Sequence, residues 1–169
     1  MPHASAQEWV VVGLGSNEGD SAAELELARR RLEQGGYRFT LASPPQRTRP
    51  VGGPAGQRDY LNQVLAAPLA AVAPGPRALL ELALAIEREA GRDRARSVPW
   101  GPRRLDIDLL LYGARVIDEP GLKVPHPRLH QRAFVLDPLA GMLPDLVHPV
   151  LGRTIRELRA KLDSGSVLP

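Results

Sequence analysis

Apolar positions along the chain change period several times, and each change predicts an element. Residues 8–15, EWVVVGLG, run apolar and β-branched to a glycine and predict a buried strand. GSNEGD then marks a turn. Leu25, Ala28 and Leu32 fall on one helical stripe, which predicts a helix over about 22–34. Ser21 and Glu24 have the S-x-x-E spacing of a capping box at its start, and Gly35-Gly36 stops it. YRFTLAS (37–43) alternates and predicts a second strand. DYLNQVLAAPL (59–69) predicts a third. Pro74 and Pro76 open a helix to about Ala90, with Leu79, Ala83, Ile86 and Ala90 on one face and Gly91 at its end. GPRRLDIDLLLYG (101–113) supplies the fourth strand. Two loops rich in Pro, Gly and Arg, 44–57 and 92–103, interrupt the pattern.

The order β-α-β-β-α-β predicts an α+β protein of the ferredoxin-like, split βαβ kind, an antiparallel sheet with two helices packed on one face. C-terminal additions follow, with short strands near 115–124 and helices near 131–142 and 152–162. A length of 169 residues predicts one domain, 1–169, able to bury a proper core. There is no cysteine, which excludes disulfides and thiolate metal sites. No apolar run approaches the roughly 18 residues of a membrane span, and MPHASAQEWV has no secretory pattern, so a cytoplasmic location is expected.

Charge changes the picture more than composition does. Net charge is +3, and of 22 basic residues all but Lys123 and Lys161 are arginines. Either the whole composition is arginine-biased or the chain takes an anionic ligand, since guanidinium forks bind phosphate. Arg92, Arg94, Arg96, Arg103 and Arg104 crowd the loop just before the fourth strand.

That strand carries two aspartates. Alternation puts Leu105, Ile107, Leu109 and Leu111 on the face toward the helices, and Arg104, Asp106 and Asp108 on the other. Carboxylates inside a sheet are costly unless a positive group meets them. Same-face residues lie about 7 Å apart along a strand. Such a pair can flank one divalent cation or hold two, and aspartate without Cys or His selects a hard ion such as Mg²⁺ that takes further ligands from substrate phosphates. The alternative is a pair of ion pairs with nearby arginines on a solvent-facing sheet. Arginines and a metal-binding pair together make the layout of phosphoryl transfer. His126, between two prolines in VPHPRLHQRAFVL, has Lys123 and Arg132 nearby and is either phosphate-facing or structural. Tyr60, Trp100 and Phe134 are either core filling or the sandwich for a planar substrate.

GLGSNEGD, QRDYLNQV, IEREAGRDR, WGPRRLDIDLLLYG and VPHPRLHQRAFVLDPLAGMLPDLVHP, in this order over roughly 9–150, closely resemble the 6-hydroxymethyl-7,8-dihydropterin pyrophosphokinases of folate biosynthesis. The resemblance implies transfer of the β,γ-diphosphate of ATP to the pterin hydroxymethyl group, with release of AMP and help from two Mg²⁺ ions. It implies that Asp106 and Asp108 hold both metals and that Arg92 and Arg103 assist transfer. Glu87, Leu109, Lys123, His126 and Arg132 become ATP-binding positions, along with Arg92. Tyr60 and Phe134 become the pterin sandwich, Asn62 its polar-edge partner, and Thr48, Pro50 and Val51 its neighbours. Trp100 falls on a loop that closes over the site. The partners implied are ATP and pterin, with no nucleic acid and no membrane, and a monomer. Gln46, Arg58 and Leu84 depart from the family pattern, and the loop between Arg94 and Trp100 is about one residue longer than in some relatives. An RNA-binding module and a Mg²⁺-dependent kinase for another heterocycle are the rival readings.

Overall fold

A computed structural model describes residues 7–69, 74–91, 95 and 97–165. Arg92, Arg94 and Arg96 lie outside the described residues. The main sheet has the order β2-β4-β1-β5, from β1 (Trp9–Ser16), β2 (Leu41–Ala42), β4 (Tyr60–Pro68) and β5 (Asp106–Tyr112), and β3 (Gln46–Thr48) also pairs with β4. All these pairings are antiparallel. Helices α1 (Ser21–Gln34) and α2 (Pro76–Glu89) cover one face, as the ferredoxin-like pattern requires.

The opposite face is covered too. Val11, Val64, Ala66, Leu110 and Leu111 pack there against Leu136 and Leu139 of α3 (Ala133–Met142) and Ile155 and Leu158 of α4 (Ile155–Asp163). The molecule thus has three layers. This explains why β1 reads as a nearly continuous apolar run: Val10, Val12 and Leu14 face α1 and α2, and Val11 faces the C-terminal helices. A hairpin of β6 (Ile117–Glu119) and β7 (Leu122–Val124) and a 3-10 turn at Leu129–Gln131 lead into α3.

Four expectations are corrected. The alternation over 37–43 is real as burial, with Tyr37 and Phe39 in the core, but only Leu41–Ala42 enters the ladder. The remaining edge pairing comes from Gln46–Thr48, inside the stretch expected to be loop. Asp20, not Ser21, caps α1: its Oδ1 accepts from the Ala23 N–H at 3.1 Å, while the Ser21 hydroxyl is taken by the Ser16 Oγ at 3.0 Å. In β5 a register shift opposite Val11/Val12 leaves Leu110 as an extra residue, so Leu111 turns to the face opposite its expected one and Tyr112 joins the α1–α2 core.

The antiparallel register brings the C-terminal end of β1 and the N-terminal ends of β4 and β5 to one edge of the molecule. Asn62, Gly15 and Asp106 form one row across the sheet, and Val64, Gly13 and Asp108 the next. Glycine at 13 and 15 leaves the middle of both rows without side chains. A Cβ on Gly15 would stand 3.0 Å from Asn62 Oδ1. The result is a bare floor between an amide and two carboxylates.

Leu136 is fully buried where α3 meets the carboxylate-bearing face. Leu136→Ala is expected to lower unfolding stability by about 2–5 kcal/mol in urea denaturation; a loss under about 0.5 kcal/mol would mean that α3 is not part of the core.

Candidate active site

Above that floor lies a cavity of about 850 Å³. Its lining gathers Thr48, Val51, Tyr60, Asn62, Trp100 and Phe134 with Arg103, Asp106, Asp108 and Arg132. The polar and the aromatic halves of the expected site therefore meet in one space. Asn62 Nδ2 donates to the Thr48 hydroxyl across β3 and β4, which fixes the amide in the same lining as Tyr60 and Phe134. Arg132 lies over the Phe134 ring, 5.5 Å from its centroid.

Each aspartate has its own guanidinium. Arg103 Nη1 is 3.0 Å from Asp106 Oδ1, and Arg132 Nη1 is 3.1 Å from Asp108 Oδ2. The ion pairs that the sequence left open are present, and the paired carboxylates also face the cavity. Arg103 Nε is buried without a hydrogen-bond partner, a donor that native structures rarely leave unmet. His126 Nε2 lies 3.9 Å from Asp108 Oδ1, and His126 Nδ1 accepts from the Arg128 N–H at 3.1 Å, which leaves the ring proton on Nε2.

Other expected residues lie elsewhere. Arg104 leaves the carboxylate face, because it precedes β5 and strand alternation does not reach it; it pairs with Glu24 of α1 at 2.7 Å. Glu87 does not line the cavity. It is 1% exposed in the α2–sheet interior, where its Oε1 accepts from the Ile107 N–H at 2.9 Å. Leu109 packs against the α1–α2 core, and exposed Lys123 sits on β7, 3.5 Å from Asp118. Pro50 is also outside the lining, next to Arg49 and Val51, which belong to it. Arg92 falls outside the described residues. Of the three departures, Gln46 stands opposite Asn62 in the β3–β4 register, Arg58 Nη1 donates to the Gly19 carbonyl at 3.3 Å, and half-buried Leu84 is away from the cavity.

A family described as 7,8-dihydro-6-hydroxymethylpterin-pyrophosphokinase (HPPK) matches residues 11–144. The chain belongs to this family. It is 45% identical over 158 residues to the 2-amino-4-hydroxy-6-hydroxymethyldihydropteridine pyrophosphokinase of Methylorubrum extorquens, which covers 92% of this chain and 94% of that one. It is 40% identical over 160 residues to the protein of the same description from Synechocystis, covering 94% and 78%. A crystal structure described as HPPK-DHPS in complex with substrates superposes with a TM-score of 0.71 at 12% identity, over 94% of this chain. That likeness shows the shared fold, and this chain spans only 44% of the other.

Within this HPPK chain the sequence reading missed the residues that hold the loops. Asn17, 2% exposed, uses its whole amide. Its Oδ1 accepts from the Arg103 N–H at 2.8 Å, and its Nδ2 donates to the Arg58 carbonyl at 3.0 Å and to Gln57 Oε1 at 3.3 Å. The Asn17 N–H also donates to the Arg103 carbonyl at 3.0 Å. The GSN triplet marked a turn in the sequence, but its partners are 40 to 86 residues away. Arg49, Arg128 and Gln131 also line the cavity. Arg128 and Gln131 stand inside the quoted VPHPRLHQRAFVL segment, and Arg49 follows Thr48, so position beside the expected site residues was the signal available.

Electrostatics set a test of the carboxylate pair. Burial, then the neighbouring Asp106 charge, pushes the Asp108 carboxyl up to about 6, against the pull of Arg132. Its side chain keeps 31% of its surface accessible, toward the cavity. Burial and then the Arg132 charge push His126 down to about 4, so its ring is neutral at pH 7. For Asp108 the favoured form in the fold is the protonated one. Its stability contribution is present below the unfolded carboxyl pKa of about 3.9 and is lost as pH rises through about 6. Asp108→Asn, without divalent ions, should therefore melt above the parent at pH 7.5 and converge with it below pH 4. A variant that melts lower at pH 7.5 would show that the Arg132 pair outweighs burial. His126 has the opposite sign: its neutral form is favoured, so its contribution is lost as pH falls from about 6.5 through about 4 in both proteins.

Proposed function

We propose that this chain carries out its family's reaction at the cavity between β1, β4 and β5. It transfers diphosphate from ATP to the hydroxymethyl group of 6-hydroxymethyl-7,8-dihydropterin, a step of folate biosynthesis, and releases AMP. The observation that carries the reading is the meeting, in one cavity, of paired aspartates and arginines with two aromatic rings and an amide.

Each part has a physical task. Tyr60 and Phe134 take the flat pterin between their rings. The Asn62 amide, held by Thr48, reads the polar edge of the heterocycle. Arg103 and Arg132 take phosphate oxygens, and the buried, unpartnered Nε–H of Arg103 gains an acceptor when they do. Neutral His126 adds a hydrogen bond without adding repulsion to the arginines. Glu87 acts from behind by fixing the β5 backbone next to Asp108.

Asp106 and Asp108 fit Mg²⁺. They are hard oxygen donors on one face of one strand, with room for two ions and too few ligands to fill an octahedral shell without phosphate and water. Mg²⁺ held by these two side chains would neutralise negative charge on the phosphate oxygens. The arginines and the pterin cradle then align the hydroxyl oxygen with the β-phosphorus, opposite the oxygen that leaves with AMP. A loose transfer of this kind asks for positioning more than for an activated nucleophile. The loop bearing Trp100 screens the cavity from water, which limits wasteful hydrolysis of ATP.

Incubation with ATP, Mg²⁺ and the hydroxymethyl pterin should yield AMP and pterin diphosphate, followed by chromatography. ADP as the product, or no turnover, would reject the reading. Asp106→Ala and Asp108→Ala should each lower turnover by roughly 100-fold or more, a loss of about 3 kcal/mol or more of transition-state stabilisation. Near-normal transfer by either variant at saturating Mg²⁺ would remove that aspartate from the metal site.

A further inference from the structure

We propose that Arg128 is a positioning residue that docks Trp100 over the cavity mouth through a cation–π stack. The proposal rests on the pterin-transfer reading above, because it assigns the docked indole to the pterin side of that cavity.

The Arg128 guanidinium carbon lies 4.5 Å from the centroid of the Trp100 ring, well inside the range at which a cation is attracted to an aromatic face. Tryptophan is the strongest partner for such a contact, and arginine adds flat stacking that lysine lacks. Both residues line the cavity. Arg103 and Arg132, in the same lining, are each paired with a carboxylate. Arg128 forms no ion pair among the described residues and is given over to the indole.

Trp100 is held in a way that needs such a contact. Its φ is +60°, in the left-handed region that bulky residues avoid. Such a conformation persists only where its surroundings over-determine it. The surroundings here come from three directions. The Trp100 carbonyl accepts from Gln57 Nε2 at 2.9 Å, and the next carbonyl, of Gly101, accepts from the Tyr60 hydroxyl at 3.0 Å. Gly53 lets the backbones close in, for a Cβ there would stand 2.1 Å from the Trp100 oxygen. These contacts fix the backbone and leave Trp100 as a residue 45% exposed. Arg128 supplies the anchor for the ring itself.

The position of Arg128 gives the stack its consequence. Its own N–H binds His126 Nδ1, and its segment carries His126 and Arg132 to Asp108. The stack thus ties the wall that faces phosphate to the loop that covers pterin. Loss of the guanidinium plane frees the indole, and pterin retention suffers more than ATP binding or chemistry.

The test uses the full chain with Trp9→Phe as background, so that Trp100 is the sole indole. Acrylamide quenching of the substrate-free protein reads the docking of the ring without reference to activity, and steady-state kinetics reads its effect. Arg128→Ala should increase quenching and raise the pterin KM about 3- to 30-fold, with kcat and the ATP KM changed less than 3-fold. Arg128→Lys should recover only part of either effect. Unchanged quenching together with unchanged pterin KM would overturn the proposal. So would a loss confined to the ATP KM, which would make Arg128 a phosphate contact. Failure of the parent to make AMP sinks the functional reading, whereas a quenching change in a parent that is active supports the dock alone.

Discussion

Two like charges on adjacent same-face positions of one strand are the constraint around which this end of the molecule is arranged. Asp106 and Asp108 repel each other, and their strand is packed on both faces further along. They are tolerated because β5 leaves the core at this end, because Arg103 and Arg132 each take one carboxylate, and because the glycines of β1 leave space rather than apolar surface beside them. Burial still wins at Asp108, whose carboxyl is held well above the ordinary range. A buried carboxylate beside a second one is costly for the fold to keep charged, and the fold bears that cost as a local instability that a bound cation would relieve.

The remaining layers serve this arrangement. α1 and α2 make the core that any split βαβ sandwich needs. The C-terminal helices do more. By covering the second face of the sheet they turn an open surface into a walled cavity, and the chain entering α3 delivers Arg128, Arg132 and Phe134 to its lining. A bare ferredoxin-like sheet would present the aspartates to bulk water, where their attraction for ions and phosphates would be far weaker.

Much of this was legible in the sequence, and the boundary of legibility has a physical cause. Strand and helix periods gave the two central strands, both flanking helices and their core faces, since those depend on local alternation alone. The D-x-D pair stood out because charge interrupts an apolar period. What periodicity does not carry is pairing between distant segments. The ladder at Gln46–Thr48 exists because β4 offers an edge there, not because QRT favours a strand. The shift of Leu111 to the other face comes from a bulge at Leu110, which shows only once β5 is paired with β1. Arg104 followed α1 because Glu24, 80 residues away, was within reach. Asn17 is the extreme case, a small amide in a turn whose every partner lies in another loop.

Asn17 also sets which parts of this chain are free to change length. Its three anchors nail the turn after β1, the start of β4 and the start of β5 to one another at single-atom precision. An insertion between an anchor and the strand it precedes would drag Arg103 or Tyr60 out of line, whereas added residues in the middle of either long loop would simply bulge outward. Any change in loop length is thereby channelled into the spans between the nails.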